Sequence, residues 1–211
     1  MRVLFCNIAW MKYYKGTWAG DIPVNGGSYV HKNQAANEDL NFLAIPDDND
    51  VYVCYGSVET KSTTGSKVNE LHIEKIEGCQ ALKNEPLVED VLVVFCAKPD
   101  RPDAWTCVVG WYKHATVYRN YQVVTLRTDD GEEERSFNIE ALKENAVLLP
   151  TSLRTRRTLW WAPRAKLQGY GFGQANVWFP TNAEGAERNY LTKLIKQIDE
   201  YCGENWLDKF E

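Results

Sequence analysis

The sequence predicts an α+β domain built on a curved, barrel-like mixed β-sheet that is flanked by helices. Three observations predict it. Short apolar runs rich in β-branched and aromatic residues recur along the chain, as is typical of strands. Turn-forming residues separate these runs, and one amphipathic helical pattern lies near the C-terminus. A length of 211 residues with 44% hydrophobic residues suits one large domain or two small ones, and we predict a single domain over residues 1–211.

The N-terminal half is predicted to contain two strands and a long loop. Residues 2–10 are mostly apolar and predict the first strand, and residues 51–58 predict another. Residues 11–28 between them predict a glycine-containing loop that carries several aromatic side chains. Long loops with large side chains are often functional in compact domains. Residues 72–76 predict a short strand or turn.

The centre of the chain predicts the middle of the sheet. Val88–Ala97 is apolar on both faces, which predicts a central strand covered on both sides. A turn at 98–103 joins it to Thr106–Gly110 in a hairpin. We predict three further elements: a strand over 116–128, a turn at 129–131 and a short helix over 139–145.

The last part of the chain predicts an amphipathic helix over residues 184–202, which would close the domain. Apolar residues repeat there at helical spacing. They are Leu191, Leu194, Ile195, Ile198 and Cys202.

Composition limits the classes of function that suit this chain. The formal net charge of −5 disfavours a protein that coats nucleic acid by charge alone, although local basic patches remain possible. The six cysteines are scattered without a CxxC pair and the three histidines lie far apart, so we expect free, buried thiols and no metal or other cofactor. No signal peptide or membrane-length apolar run is present, which predicts a cytoplasmic protein without membrane contact.

No strong catalytic signature is present. A metal-dependent nuclease needs clustered carboxylates beside a lysine, and Asp100 and Glu74–Lys75 are wrongly spaced for that role. The glycine-rich loop Gly169–Gly173 lacks the Gly-Lys-Ser/Thr of a phosphate-binding loop. We therefore expect this chain not to be an enzyme, and any cleavage to come from a partner or fused domain.

Binding signatures are stronger. Trp111 and Tyr112 are adjacent on a predicted strand, so they point to opposite faces, and we expect one to pack in the core while the other stands over a pocket. Asn41–Phe42 and the run 174–178 each combine amides with an aromatic ring, as base recognition requires. Loop-stabilising hydrogen bonds or a helix cap would equally explain these amides.

Four sequence blocks resemble one bacterial domain type. They are Gly26–Val30, Glu38–Phe42, Val109–Arg119 and Gly171–Trp178. They resemble PUA-like domains of the EVE, YTH and SRA type, which occur in bacterial modification-dependent restriction proteins beside nuclease or NTPase domains. The resemblance covers residues 1–180. It implies a barrel-like sheet, and a methylated or hydroxymethylated cytosine or an N6-methyladenine of double-stranded DNA flipped into an aromatic cage.

Two sets of residues follow as candidates. The candidate base-binding residues are Trp10, Trp18, Asn41, Phe42, Trp111, Tyr112, Gln174, Asn176 and Trp178. The candidate phosphate-binding residues, some of which alternate with Trp160, Trp161 and Tyr170, are Arg119, Arg154, Arg156, Arg157, Arg164 and Lys166.

Two alternatives remain. An enzyme acting on a small molecule or nucleotide would use the same pocket, with a perturbed titratable group such as His114 or Glu38 near the rings. A protein–protein interaction module would bury the aromatic residues against a partner and would not bind nucleic acid.

Overall fold

The computed structural model describes residues 1–25, 37–60, 70–101, 103–128, 131–155 and 157–210, which we call the described residues. They form a mainly β structure with eight strands and two α-helices. The strands are β1 (Val3–Asn7), β2 (Ala44–Pro46), β3 (Tyr52–Gly56), β4 (Leu87–Ala97), β5 (Cys107–Thr128), β6 (Gly131–Leu142), β7 (Ala146–Leu148) and β8 (Val177–Trp178). The α-helices are α1 (Ala165–Gln168) and α2 (Gly185–Asp199).

The sheet is mixed and open. Its strand order is β2-β3-β6-β5-β4-β1-β8, and β7 pairs with β5 beside this path. Only the β1–β4 pair is parallel among the described strands. The predicted barrel-like closure is wrong. Closing a barrel requires the edge strands to pair, and here β2 and β8 are three and two residues long and each pairs with one neighbour.

Strand β5 is one continuous strand of 22 residues, where the sequence predicted two. Its pairing with β4 shifts register near Val91, which marks a β-bulge. At this bulge Asp90 and His114 adopt left-handed backbone angles, with φ of 56° and 50°. The bulge accommodates the register shift at Lys113–His114, and β5 continues past it without a break.

Both faces of the central sheet are covered. Alternate residues of β1 belong to two separate clusters, with Leu4 in the first and Phe5 in the second. Strand β4 is buried on both sides from Val91 to Ala97, as its continuous apolar run predicted. Helix α2 covers the second cluster through Tyr190, Leu194 and Ile198, and lies within the range 184–202 that the periodic pattern indicated. Neither described α-helix is long and apolar enough to span a membrane.

Three local predictions need correction. Residues 139–142 belong to β6 and pair with β3, because Ile139 and Ala141 are buried at the two-residue period of a strand; only Lys143–Asn145 forms a 3-10 helix. Residues 73–75 also form a 3-10 helix. The first strand ends at Asn7. Residues 129–130 of the predicted turn lie outside the described residues.

Candidate functional site

The predicted base-binding residues do not form one cage. Trp111 and Tyr112 do point to opposite faces, but both are buried because both faces of the sheet are covered. Trp111 stacks on Trp160 with ring centroids 5.2 Å apart, and Tyr112 packs edge-to-face against Phe42 at 5.6 Å. The expectation that one of the two rings stands over a pocket is therefore wrong.

The other predicted aromatic residues are also dispersed. Phe42 and Trp178 are buried in different clusters. Trp10 is partly buried, with the guanidinium of Arg154 5.5 Å from its ring centroid. Trp18 is the most exposed, at 41% of its surface. A cage made of these side chains would require the core to open.

Asn41 has a backbone partner in the interior. Its Nδ2 donates to the carbonyl of Ser57 at 3.0 Å, and its Oδ1 accepts from the N–H of Ser57 at 2.8 Å. The side chain is fully buried. Both ends of the amide are thus engaged, so the prediction that Asn41 reads a base edge is wrong for this arrangement.

The backbone of Val58, which follows Ser57 in the chain, is held in the same manner by another buried amide. Asn138, buried in β6, donates to the carbonyl of Val58 and accepts from its N–H, both at 3.0 Å. The hydroxyl of Tyr121 donates to the same carbonyl at 2.8 Å. Side chains therefore hold the backbone of residues 57–59, which we call the clamped segment, where β3 has ended.

Glu38 completes this arrangement. Its carboxylate is buried, and the backbone N–H of Glu59 lies close enough to oppose part of the rise in its pKa. Burial raises the pKa of Glu38 to about 7, and the negative charge of Glu59 adds to the rise against the opposing effect of the backbone N–H groups. Raised carboxyl pKa values of this size are frequent at functional sites.

A cleft of about 270 Å³ opens beside the clamped segment, and we call it the Asn176 cleft. It is lined by Glu59, Thr60, Glu70, Leu71, His72, Lys75, Ala175, Asn176, Val177 and Phe179. Asn176 is fixed on both sides: its Nδ2 donates to the carbonyl of Glu59 at 3.3 Å, and its carbonyl accepts from the N–H of Asn7 at 2.6 Å. It therefore joins the clamped segment to the end of β1.

The Asn176 cleft combines several kinds of side chain. Phe179 and His72 supply flat rings, and Asn176 and Glu59 supply an amide and a carboxylate. Of the predicted base-binding residues only Asn176 lines this cleft, while Gln174 is exposed in the adjoining loop.

No family model, no curated protein and no solved structure matches this chain. The likeness to PUA-like domains therefore rests on the four sequence blocks. The block Gly26–Val30 lies outside the described residues, Val109–Arg119 lies in β5, and Gly171–Trp178 leads through the Asn176 cleft into β8.

Two of the predicted phosphate-binding arginines are internal. Arg154 is 1% exposed, and its guanidinium donates to the carbonyls of Met11 and Leu149 at 2.9 and 2.8 Å. Burial lowers its pKa to about 10. Arg119 is buried, and its guanidinium donates to the carboxylate of Glu74 at 2.8 Å. The prediction that these two contact phosphate is wrong here, because neither presents a free guanidinium.

The remaining basic residues differ in exposure. Arg164 is partly buried and donates to Thr106 Oγ1 at 2.9 Å and to Asn7 Oδ1 at 3.0 Å. Arg157 and Lys166 are exposed, and Arg156 lies outside the described residues. Only the two exposed cations among these described residues are placed to meet a phosphate without rearrangement.

The sequence did not single out Glu59, His72 or Phe179. Two of them come from turns or loops without periodicity, and Phe179 follows a two-residue strand. A usable signal was Asn138, a lone amide between the apolar Phe137 and Ile139, since a buried amide needs partners. It would have indicated a polar segment packed against β6.

Proposed function

We propose that this protein binds nucleic acid and takes one modified base into the Asn176 cleft. The base is a methylated or hydroxymethylated cytosine or an N6-methyladenine, and the PUA-like architecture implied by the sequence blocks is part of the proposal. The observation that supports it is the meeting of flat rings, an amide and a carboxylate beside a segment held by buried side chains. A duplex base would have to leave its stack to enter.

The chemistry of the lining suits a base that carries an amino group. A carboxylate such as Glu59 accepts from the amino group of cytosine, and an amide such as Asn176 matches the N6/N7 edge of adenine. Phe179 and His72 offer stacking surfaces, and Val177 and Leu71 offer an apolar wall for a methyl group. The volume of about 270 Å³ lies near the lower end of ligand pockets, as a single base requires.

The clamped segment contributes pre-organisation. Its backbone is fixed by Asn41, Asn138 and Tyr121 before any ligand arrives. A wall that is already ordered loses less conformational entropy on binding. We expect Glu59 to be held in place by this frame.

The net negative charge of the protein limits how it can contact the phosphates of a nucleic acid. With a net charge of −5, phosphate contacts must come from individual cations, such as Lys75 in the cleft and the exposed Arg157 and Lys166 elsewhere on the surface. We expect binding to weaken steeply with salt. As in the restriction proteins that the sequence blocks resemble, we expect a nuclease or NTPase partner, and a nuclease would supply the cleavage.

The test is fluorescence-anisotropy binding to matched short duplexes at one stated salt concentration. The duplexes carry cytosine, 5-methylcytosine, 5-hydroxymethylcytosine, adenine or N6-methyladenine at one position. We expect one modified duplex to bind at least tenfold more tightly than its unmodified match. Equal weak binding to all five, or no binding, would contradict the proposal.

A second candidate function is an enzyme acting on a nucleotide in the same cleft. The raised pKa of Glu38, which contacts the lining residue Glu59, favours it because a carboxyl group that titrates near pH 7 suits acid–base catalysis. This candidate predicts turnover of modified nucleosides or nucleotides, followed by chromatography, and its loss in Glu38→Gln. Unchanged substrates after long incubation would exclude it.

A further inference from the structure

A second cleft, of about 310 Å³, lies against α2 on the other side of the sheet from the Asn176 cleft. We call it the aromatic cleft. Its lining is Leu159, Trp161, Tyr170, Ala186, Asn189, Tyr190, Lys193, Leu194 and Gln197. It contains two of the aromatic residues that alternate with the basic cluster, which the proposed function does not use.

Three rings form the walls of the aromatic cleft. Trp161 and Tyr190 have centroids 4.9 Å apart at an angle of 56°, and Tyr170 and Tyr190 have centroids 6.0 Å apart at 48°. Rings inclined in this way do not cover one another fully, and Trp161 and Tyr170 remain partly exposed. Part of each of these two side chains is therefore accessible to a flat ligand.

Contacts with neighbouring residues fix the positions of these three rings. The hydroxyl of Tyr190 donates to the carbonyl of Trp161 at 2.8 Å, and Trp178 packs against both Tyr170 and Tyr190. The backbone of Trp161 also bridges to Cys107 at the start of β5. The walls of the aromatic cleft are thus positioned by the fold itself.

One face of α2 supplies the polar side of the cleft. Asn189, Lys193 and Gln197 are spaced four residues apart, which places them in one row along the helix. The Oε1 atom of Gln197 is buried and has no hydrogen-bond partner among the described residues. A buried acceptor without a partner is stabilised when it accepts a hydrogen bond from a ligand.

We propose that the aromatic cleft binds a mononucleotide. The base lies against Trp161 and Tyr170, its polar edge meets Asn189 and Gln197, and its phosphate meets Lys193. Organic cations also favour aromatic walls, but the ammonium group of Lys193 repels them. This inference is independent of the proposed function, since the two clefts share no lining residue.

Isothermal titration calorimetry with AMP and CMP tests it, using adenosine and ribose 5-phosphate as the base-only and phosphate-only probes. We expect binding of one nucleotide per chain, and weaker binding of both partial probes. Lys193→Glu should weaken nucleotide binding about tenfold with little effect on adenosine. Trp161→Ala should weaken nucleotide and adenosine at least fivefold, because it removes a stacking face.

The control is Lys196→Glu, since Lys196 is exposed on the same helix and does not line the cleft. Because Trp161 packs on Tyr190, the exposed Lys193 provides the variant that leaves the packing intact. No binding of AMP or CMP at millimolar concentration would overturn the inference, as would equally tight binding of ribose 5-phosphate. Asn176→Ala should leave nucleotide binding unchanged, so failure here is distinguishable from failure of the proposed function.

Discussion

The side chain of Asn41 hydrogen-bonds both backbone groups of Ser57, 16 residues further along the chain. Asn138, in strand β6, does the same for Val58. Two buried amides therefore replace the strand neighbour that residues 57–58 lack, and they position one wall of the Asn176 cleft.

Asn41→Ala should destabilise the protein by about 2–4 kcal/mol, because it leaves a buried N–H and a buried carbonyl without partners. Urea unfolding at equilibrium measures the change. Asn120→Ala, at an exposed position of β5, is the matched control and should stay within about 0.5 kcal/mol. Equal effects of the two substitutions would show that the Asn41 amide does not hold Ser57.

Glu38 should make stability depend on pH below neutrality. Its pKa is raised to about 7 in the folded protein, so the folded state holds this proton over a range where the unfolded chain has released it. Its contribution is full at low pH and is lost as the pH rises through about 7. The difference in urea midpoint between wild type and Glu38→Gln, followed from pH 4.5 to 8, isolates this effect. A difference that does not change with pH would contradict the shift.

Lys15 should have the opposite effect in alkaline solution. Its ammonium group is partly buried and donates to the carbonyls of Phe42 and Leu207, and burial lowers its pKa to about 8. At this group the unfolded chain then binds more protons than the folded protein above pH 8, so the contribution of Lys15 to stability rises towards pH 10. The difference in thermal midpoint between wild type and Lys15→Met, measured at pH 7.5 and 9.5, isolates this contribution and should shift in favour of wild type at the higher pH. Equal differences at the two pH values would disprove the assignment.

Gly110 should not tolerate a side chain. A Cβ atom there would meet the carbonyl oxygen of Val147 and lie 2.7 Å from the ring of Phe42. Gly110→Ala should therefore cost about 1–3 kcal/mol through overpacking. Gly173→Ala is the matched control, because nothing lies within 4 Å of its Cβ position. Denaturant unfolding of both variants should separate them clearly.

The sequence predicted the elements whose signals are local. The continuous apolar run of β4 indicated a strand covered on both faces, and the alternation at Trp111–Tyr112 correctly placed the two rings on opposite faces. Whether a face is open depends on distant segments. Trp160 and α2 cover the side of Trp111, and no periodicity near residue 111 could reveal them.

Of the residues that line the Asn176 cleft, the sequence singled out only Asn176 as base-binding. In the sequence, the amide of Asn41 cannot be told from one that reads a base edge. Its partner Ser57 is brought to it by β3 and by the 3-10 helix Asn37–Leu40, which directly precedes Asn41. Arg154 likewise binds backbone carbonyls of Met11 and Lys12, more than 140 residues earlier. Whether a polar residue is buried or exposed depends on long-range packing, so the two cases look alike in the sequence.

The most direct test of the central claim compares wild type with Asn176→Ala in duplex binding. The quantity is the ratio of the affinity for the preferred modified duplex to that for its unmodified match, measured by fluorescence anisotropy with Asn120→Ala as the control. If the Asn176 cleft holds the base, the ratio is at least ten in wild type and in the control and falls towards one in Asn176→Ala. A ratio that survives in Asn176→Ala would place base recognition elsewhere and contradict the account.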